Sequence, residues 1–309
     1  MPVSPRNDAV RPSGILMVLG SCSSLQFGAT VAMQLFPAIG SWGTTTLRLT
    51  LACVILLLVL RPRFWGWTKT QWTSVIWFGL ALGGMNGFFY SAIDKIPLGV
   101  AVALEFTGPL VLSAIMSRAR RDLIFVGAAA LGMVLLGVES SFGAASFDPL
   151  GVAFALIAGG FWAFYIIFSA RTGQLVPGGG GLAVAMGIGA LVVLIPGAPG
   201  VAETAVRPEL WLLVLGTALL SSVVPYSLEL AALRRIPTPV FSILLSLEPV
   251  VAAVIGWFML DQTFGWLRAA AFGLVIVASA GITRSQARPR PESFDEEKPV
   301  SRHRGGETA

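Results

Sequence analysis

Ten long apolar stretches, separated by short polar connections, leave this chain few ways to fold. They cover residues 14–36, 44–60, 71–93, 97–116, 123–138, 150–170, 182–195, 210–233, 237–260 and 266–283. Most have the length of a membrane-crossing helix, about 17–25 residues. A backbone in hydrocarbon finds no solvent partner for its N–H and C=O groups, so each stretch is predicted to be helical. A transmembrane barrel would instead show shorter segments of alternating polarity. Of the 309 residues, 55% are hydrophobic and only 12% are charged, which excludes a disordered chain and a soluble enzyme. The expected fold is an all-α polytopic membrane protein with ten transmembrane helices.

The basic residues set an expected orientation. With ten spans both termini share one side, and that side carries 17 of the 21 Lys and Arg residues. Only Lys95, Arg207 and Arg268 fall on the other side, and Arg48 lies within a span. Lys and Arg mark the cytoplasmic side, so both termini are predicted to be cytoplasmic. Residues 1–13 form a cytoplasmic N-terminus, and residues 284–309, polar and rich in Arg, Pro and Glu, read as a disordered cytoplasmic tail. Pro37, Pro62, Pro149, Pro196, Pro199 and Pro208 are expected at or just outside helix ends, and Gly178–Gly181 in a loop.

Residues 92–115 align without a gap on residues 232–255, with eight of 24 positions identical. Ile96-Pro97 matches Ile236-Pro237, and Pro109 matches Pro249. The chain is therefore expected to divide into two five-helix repeats, residues 14–139 and 140–283. Five is odd, so the second repeat enters the membrane from the opposite side. Inverted repeats of this kind are a design of secondary transporters, which bind substrate near the midplane between the halves.

Charged side chains inside spans are costly and usually face a cavity or a partner. Four lie inside the stretches: Arg48, Glu105, Glu229 and Glu248. Glu105 and Glu248 fall close to mid-membrane by residue count. They are expected to be proton-coupling carboxylates that take a proton and a cationic substrate group by turns. Arg48 and Glu229 sit nearer the helix ends, where they can snorkel to the surface or support the site as a polar network. Pro109, Pro225 and Pro249 are expected to kink their helices and free backbone carbonyls. Asn86 with Tyr90, Tyr226 with Glu229, and Trp162 with Tyr165 each share a helix face. The expected substrate-binding set is Asn86, Tyr90, Glu105, Thr107, Trp162, Tyr226, Ser246 and Glu248. Aromatic faces there suit an ammonium group. Packing within the helix bundle explains Trp162 equally well, and it explains the four-residue repeat of Gly79, Gly83 and Gly87 better.

The single histidine, His303, is in the tail, and Cys22 and Cys53 have no metal-ligand spacing. No nucleotide-binding loop or catalytic triad can be assembled, so no cofactor, metal or nucleic acid is expected, and an ion gradient or facilitated diffusion is left to drive transport. A membrane enzyme or a structural partner in a complex is the non-transport alternative. It fits poorly with charges at mid-membrane and no catalytic histidine.

Several motifs together resemble a known family. They are Leu47-Arg48-Leu49, Gly83-Gly84-Met85-Asn86 with Phe89-Tyr90, and the run from Ile96-Pro97 through Glu105-Phe106-Thr107-Gly108-Pro109. Pro225-Tyr226-Ser227-Leu228-Glu229, Arg235-Ile236-Pro237-Thr238 and Ser246-Leu247-Glu248-Pro249 complete the set. Over about residues 14–283 the chain resembles the threonine/homoserine exporter group, in the EamA-like branch of the drug/metabolite transporter superfamily. That resemblance implies ten helices in inverted five-helix repeats and proton-driven export of small neutral amino acids across the cytoplasmic membrane. Export of drugs, aromatic amino acids or other metabolites on the same fold is the alternative.

Overall fold

The structure, a computed structural model, describes residues 12–116, 123–125, 127–132, 135, 148–233, 235, 244–245, 247–260 and 265–286. The described residues are helical, with short connections. In chain order the helices are α1 (Pro12–Met33), α2 (Phe36–Leu60), α3 (Lys69–Ile93), α4 (Leu98–Glu105), α5 (Thr107–Met116), α6 (Pro149–Leu175) and α7 (Gly180–Val206). They are followed by α8 (Trp211–Ala218), α9 (Val224–Leu233), α10 (Glu248–Leu260) and α11 (Trp266–Gln286). A single π-helical turn, Leu219–Val223, joins α8 to α9. Among the described residues, six helical segments are long and apolar enough to cross a membrane. Outward faces carry Leu58, Ile115, Ile195, Leu212 and Phe258, residues that a soluble protein buries.

Local chemistry sets most boundaries. Thr68 caps α3 in a reciprocal capping box with Gln71. Asp148 caps α6 by accepting from the Leu150 N–H, with Pro149 in the first turn. Between α2 and α3, Phe64, Trp65, Trp67 and Trp72 cluster beside Arg61, Arg63 and Lys69. Aromatic rings with basic side chains are typical of a membrane–water boundary.

Two boundaries differ from the sequence expectation. The second helix starts at Phe36 rather than residue 44. Pro37 falls in its first turn, where no N–H is needed, and Thr44, Thr45 and Thr46 each donate a hydroxyl to the carbonyl four residues back, at 2.8–2.9 Å, and so satisfy themselves within the helix. The chain bends at Gly40, which takes φ 69° and ψ 166° inside the helix. The seventh stretch continues as helix to Val206, so Pro196 and Pro199 lie within α7 and not at its end. Close packing on α2 supports this segment: Gly200 lies against Gly43 and the Ile39 carbonyl, and the Thr46 hydroxyl donates to the Val193 carbonyl at 2.9 Å. The glycine loop is also shorter than expected, because α7 begins at Gly180.

Helix α2 packs along α7, and α3 packs along α6 and α7. Helix α1 packs against α9, α10 and the π-turn, while α4 lies between α6 and α10. End-to-end contacts show which connections meet. Lys95, after α3, forms an ion pair of 3.4 Å with Asp148, before α6. At the opposite ends, the Gln71 amide donates to the Leu175 carbonyl at 2.7 Å. The expected close approach at Gly79 and Gly83 is present, since both pack on the backbone of α7 at Ala185 and Gly189.

The tightest contact involves glycines outside that repeat. Pro109 has no N–H to return to the Glu105 carbonyl, and the helix breaks at Phe106 between α4 and α5. Gly159 of α6 sits against that Glu105 carbonyl, and Gly108 sits against the Gly159 carbonyl. A β-carbon at Gly108 would overlap backbone, which cannot yield as a side chain can. Gly108→Ala is therefore expected to destabilise the protein by about 1–3 kcal/mol, read as a lower thermal midpoint of purified protein. Gly160→Ala, where a β-carbon meets open space, is expected to leave the midpoint unchanged.

Candidate functional site

A cluster of polar residues inside the helix bundle is centred on Arg48. This residue lies midway along α2 and is only 2% exposed, so it neither snorkels nor sits near a helix end as its sequence position suggested. The longer α2 accounts for the difference. Its guanidinium donates through Nη1 to the Ser221 carbonyl at 2.9 Å and to the Ser222 hydroxyl at 3.2 Å, and through Nη2 to Asn86 Oδ1. It also stacks over the Tyr90 ring, 4.7 Å from the centroid. Among the described residues no carboxylate is ion-paired to it, and its Nε–H has no hydrogen-bond partner.

The π-turn explains how α2 reaches backbone carbonyls of another helix. Pro225 cannot donate to the turn before it, so carbonyls there lack a helical partner. Side chains from other helices take them: Arg48 the Ser221 carbonyl, and the Ser24 hydroxyl of α1 the Leu220 carbonyl at 2.8 Å. The Tyr90 hydroxyl pairs with Ser221 Oγ at 3.2 Å. Gly28 of α1 lies against Ser221, so α1 follows the turn closely. Asn86 is itself oriented, because its Nδ2 donates to the Leu82 carbonyl at 2.8 Å and leaves Oδ1 toward Arg48.

The carboxylates surround this centre. Glu105, the last residue of α4, is 8% exposed and lies within electrostatic reach of both Glu248 and Arg48. No described residue donates a hydrogen bond to it. Glu248, the first residue of α10, is 7% exposed and accepts from Gln26 Nε2 of α1 at 3.1 Å. Glu229 of α9 accepts from the Ser21 hydroxyl at 2.8 Å and lies within reach of Glu248. Tyr226 is close to Arg48, Glu229 and Glu248, and its hydroxyl pairs with that of Tyr165.

The structure thus brings Arg48, Asn86, Tyr90, Glu105, Tyr226, Glu229 and Glu248 into one neighbourhood. Thr107, at the start of α5, donates back across the break to the Leu104 carbonyl of α4 at 2.6 Å. Trp162 packs edge-on to Phe106 at 4.7 Å, the packing role that rivalled substrate contact for it. Ser246 lies outside the described residues. Pro109, Pro225 and Pro249 each lie in the first turn of a helix, α5, α9 and α10, and each follows a break in the chain, at Phe106, at the π-turn and at Leu247. Sequence reasoning missed Gln26, Ser221 and Ser222. The signals were present: an amide midway along the first apolar stretch, and two serines just before a proline within the eighth.

Comparisons with known proteins agree with this architecture. The EamA-like transporter family matches residues 149–284. The threonine/homoserine exporter RhtA of Escherichia coli (strain K12) is 40% identical over 272 residues, covering 87% of this chain and 90% of that protein. The exporter of the same name from Salmonella typhimurium (strain LT2) shows the same identity and coverage. Both are named as exporters rather than enzymes. A solved crystal structure that is 17% identical shares the fold, with a TM-score of 0.59 over 88% of this chain and 99% of that one. The chain is an integral membrane protein of the EamA-like transporter family and belongs to its threonine/homoserine exporter group.

Proposed function

We propose that this protein exports threonine, homoserine or a similar small neutral amino acid across the inner membrane by proton antiport. The observation that carries this reading is a buried guanidinium whose Nε–H has no partner among the described residues, set within reach of a carboxylate to which no described residue donates a hydrogen bond. An amino acid zwitterion presents the complementary pair of charges. Its carboxylate would meet Arg48, and its ammonium would meet Glu105 and the faces of Tyr90 and Tyr226. The 40%-identical exporters support the same class of cargo.

In this mechanism the site opens alternately to each side. From the cytoplasm an ionised glutamate takes the ammonium. At the outer face a proton neutralises the carboxylate and the substrate leaves. Ten spans in two inverted halves, with both termini cytoplasmic, fit this cycle. The bias of Lys and Arg supports that arrangement, and the Lys95–Asp148 and Gln71–Leu175 contacts, at opposite helix ends, agree with it.

In inverted membrane vesicles, an acidic lumen is expected to drive uptake of labelled threonine. Glu105→Gln and Glu248→Gln should each lower that uptake by about tenfold or more, a loss of about 1.4 kcal/mol of coupling. Wild-type rates in both variants would rule out carboxylate coupling. A second test addresses Arg48. Arg48→Gln should abolish the rise in thermal midpoint that threonine produces in the wild-type protein, and Arg48→Lys should restore only part of it, since Lys keeps the charge but not the fork. An undiminished threonine response in Arg48→Gln would remove Arg48 from the site.

A further inference from the structure

Gln26 is 1% exposed, deep in α1, and its amide is only half used. Nε2 donates to Glu248 Oε1 at 3.1 Å, while Oε1 has no donor among the described residues. The backbone beside it is held in place, because the Thr30 hydroxyl donates to the Gln26 carbonyl at 3.0 Å. An orphaned acceptor in a buried site normally has a role, because leaving it unpaired is costly.

The chemistry of a primary amide makes this arrangement dependent on protonation. An ionised carboxylate only accepts, so it must be met by the amide N–H, and the amide oxygen is left free to accept from something else. A protonated carboxyl carries an O–H that seeks an acceptor. The amide then turns over, its oxygen takes that O–H, and its NH₂ becomes the free limb. One proton on Glu248 thereby converts the free limb of Gln26 from acceptor to donor.

We propose that Gln26 is a positioning residue that transmits the protonation state of Glu248 to the bound substrate by this reversal of hydrogen-bond polarity. With Glu248 ionised, Gln26 Oε1 accepts from the ammonium or side-chain hydroxyl of the amino acid. With Glu248 protonated, the same limb presents N–H groups, which repel an ammonium. Protonation of Glu248 then drives substrate release through the loss of this acceptor. This inference rests on the proton-antiport reading above and assigns Glu248 as its proton site, leaving Glu105 for the ammonium.

Other titratable groups face Glu248 and must be separated from it. They are Cys22 on α1, Glu105 on α4, and Tyr226 and Glu229 on α9, with Arg48 on α2 facing Glu105 and Tyr226. None of them is bonded to Gln26. A pH effect that disappears when Gln26 alone is changed therefore belongs to the Gln26–Glu248 pair.

The test is threonine affinity of the purified full-length protein by calorimetry at about pH 5.5 and about pH 7.5, a range in which free threonine itself does not titrate. The wild-type protein is expected to bind about tenfold more tightly at the higher pH. In Gln26→Met, similar in shape but unable to bond, the ratio between the two pH values should fall below about twofold, whatever the absolute affinity. If Gln26→Met retains the wild-type ratio, the inference is overturned. Glu248→Gln supplies a second reading that does not depend on folding of the first variant. It removes the proton site and should also flatten the ratio, whereas a preserved ratio would overturn the assignment of Glu248. A flat wild-type profile would instead overturn the proton-antiport reading itself, and the two failures are thereby distinguished.

Discussion

A guanidinium buried midway along α2 organises this protein. Arg48 is buried where it lies, so most of its N–H groups must be met by protein atoms, and those atoms come from two separate parts of the chain. Asn86 and Tyr90 come from α3, and the Ser221 carbonyl and Ser222 hydroxyl come from the π-turn. Moving any one of these elements strips a buried cation of a partner. The π-turn exists because Pro225 interrupts the hydrogen-bond ladder, and Arg48 satisfies a carbonyl that the interruption frees. A charge that would be a liability in isolation thus joins helices distant in sequence and fixes the geometry of the cluster around it.

Helix α1 complements that arrangement with neutral polar groups. Ser21 holds Glu229, Ser24 holds the Leu220 carbonyl, and Gln26 holds Glu248. Ser21 and Ser24, three apart, share a face of α1 and meet α9 and the π-turn, whereas Gln26 meets α10 from a different face. Glu105 differs from its two acidic neighbours because no described residue bonds to it. Small residues make the assembly possible, since Gly28 lets α1 reach Ser221, and Gly108 with Gly159 lets α5 and α6 touch through backbone beside Glu105.

Much of this was legible in the sequence, and the exceptions have physical causes. Apolar length announced the membrane helices, and charge inside an apolar stretch pointed to Glu105, Glu248, Glu229 and Arg48. The depth of Arg48 was misread because Pro37 was placed at or outside a helix end, whereas it occupies the first turn of α2. Pro196 and Pro199 were placed at a helix end because proline usually stops a helix, whereas packing of Gly197 and Gly200 on α2 carries α7 past them. Gln26, Ser221 and Ser222 escaped attention because they are uncharged. A serine or glutamine in a span is common, and only its partners in three dimensions reveal that it holds a carboxylate or answers an arginine.

The central claim is that the charged cluster exchanges an amino acid for protons. The most direct measurement is lumenal pH in proteoliposomes loaded with threonine and a pH-sensitive dye, then diluted into threonine-free buffer of equal pH. The account predicts that threonine efflux draws protons inward and acidifies the lumen, and that Glu248→Gln abolishes the acidification. Threonine efflux at the wild-type rate with no change in lumenal pH would contradict it.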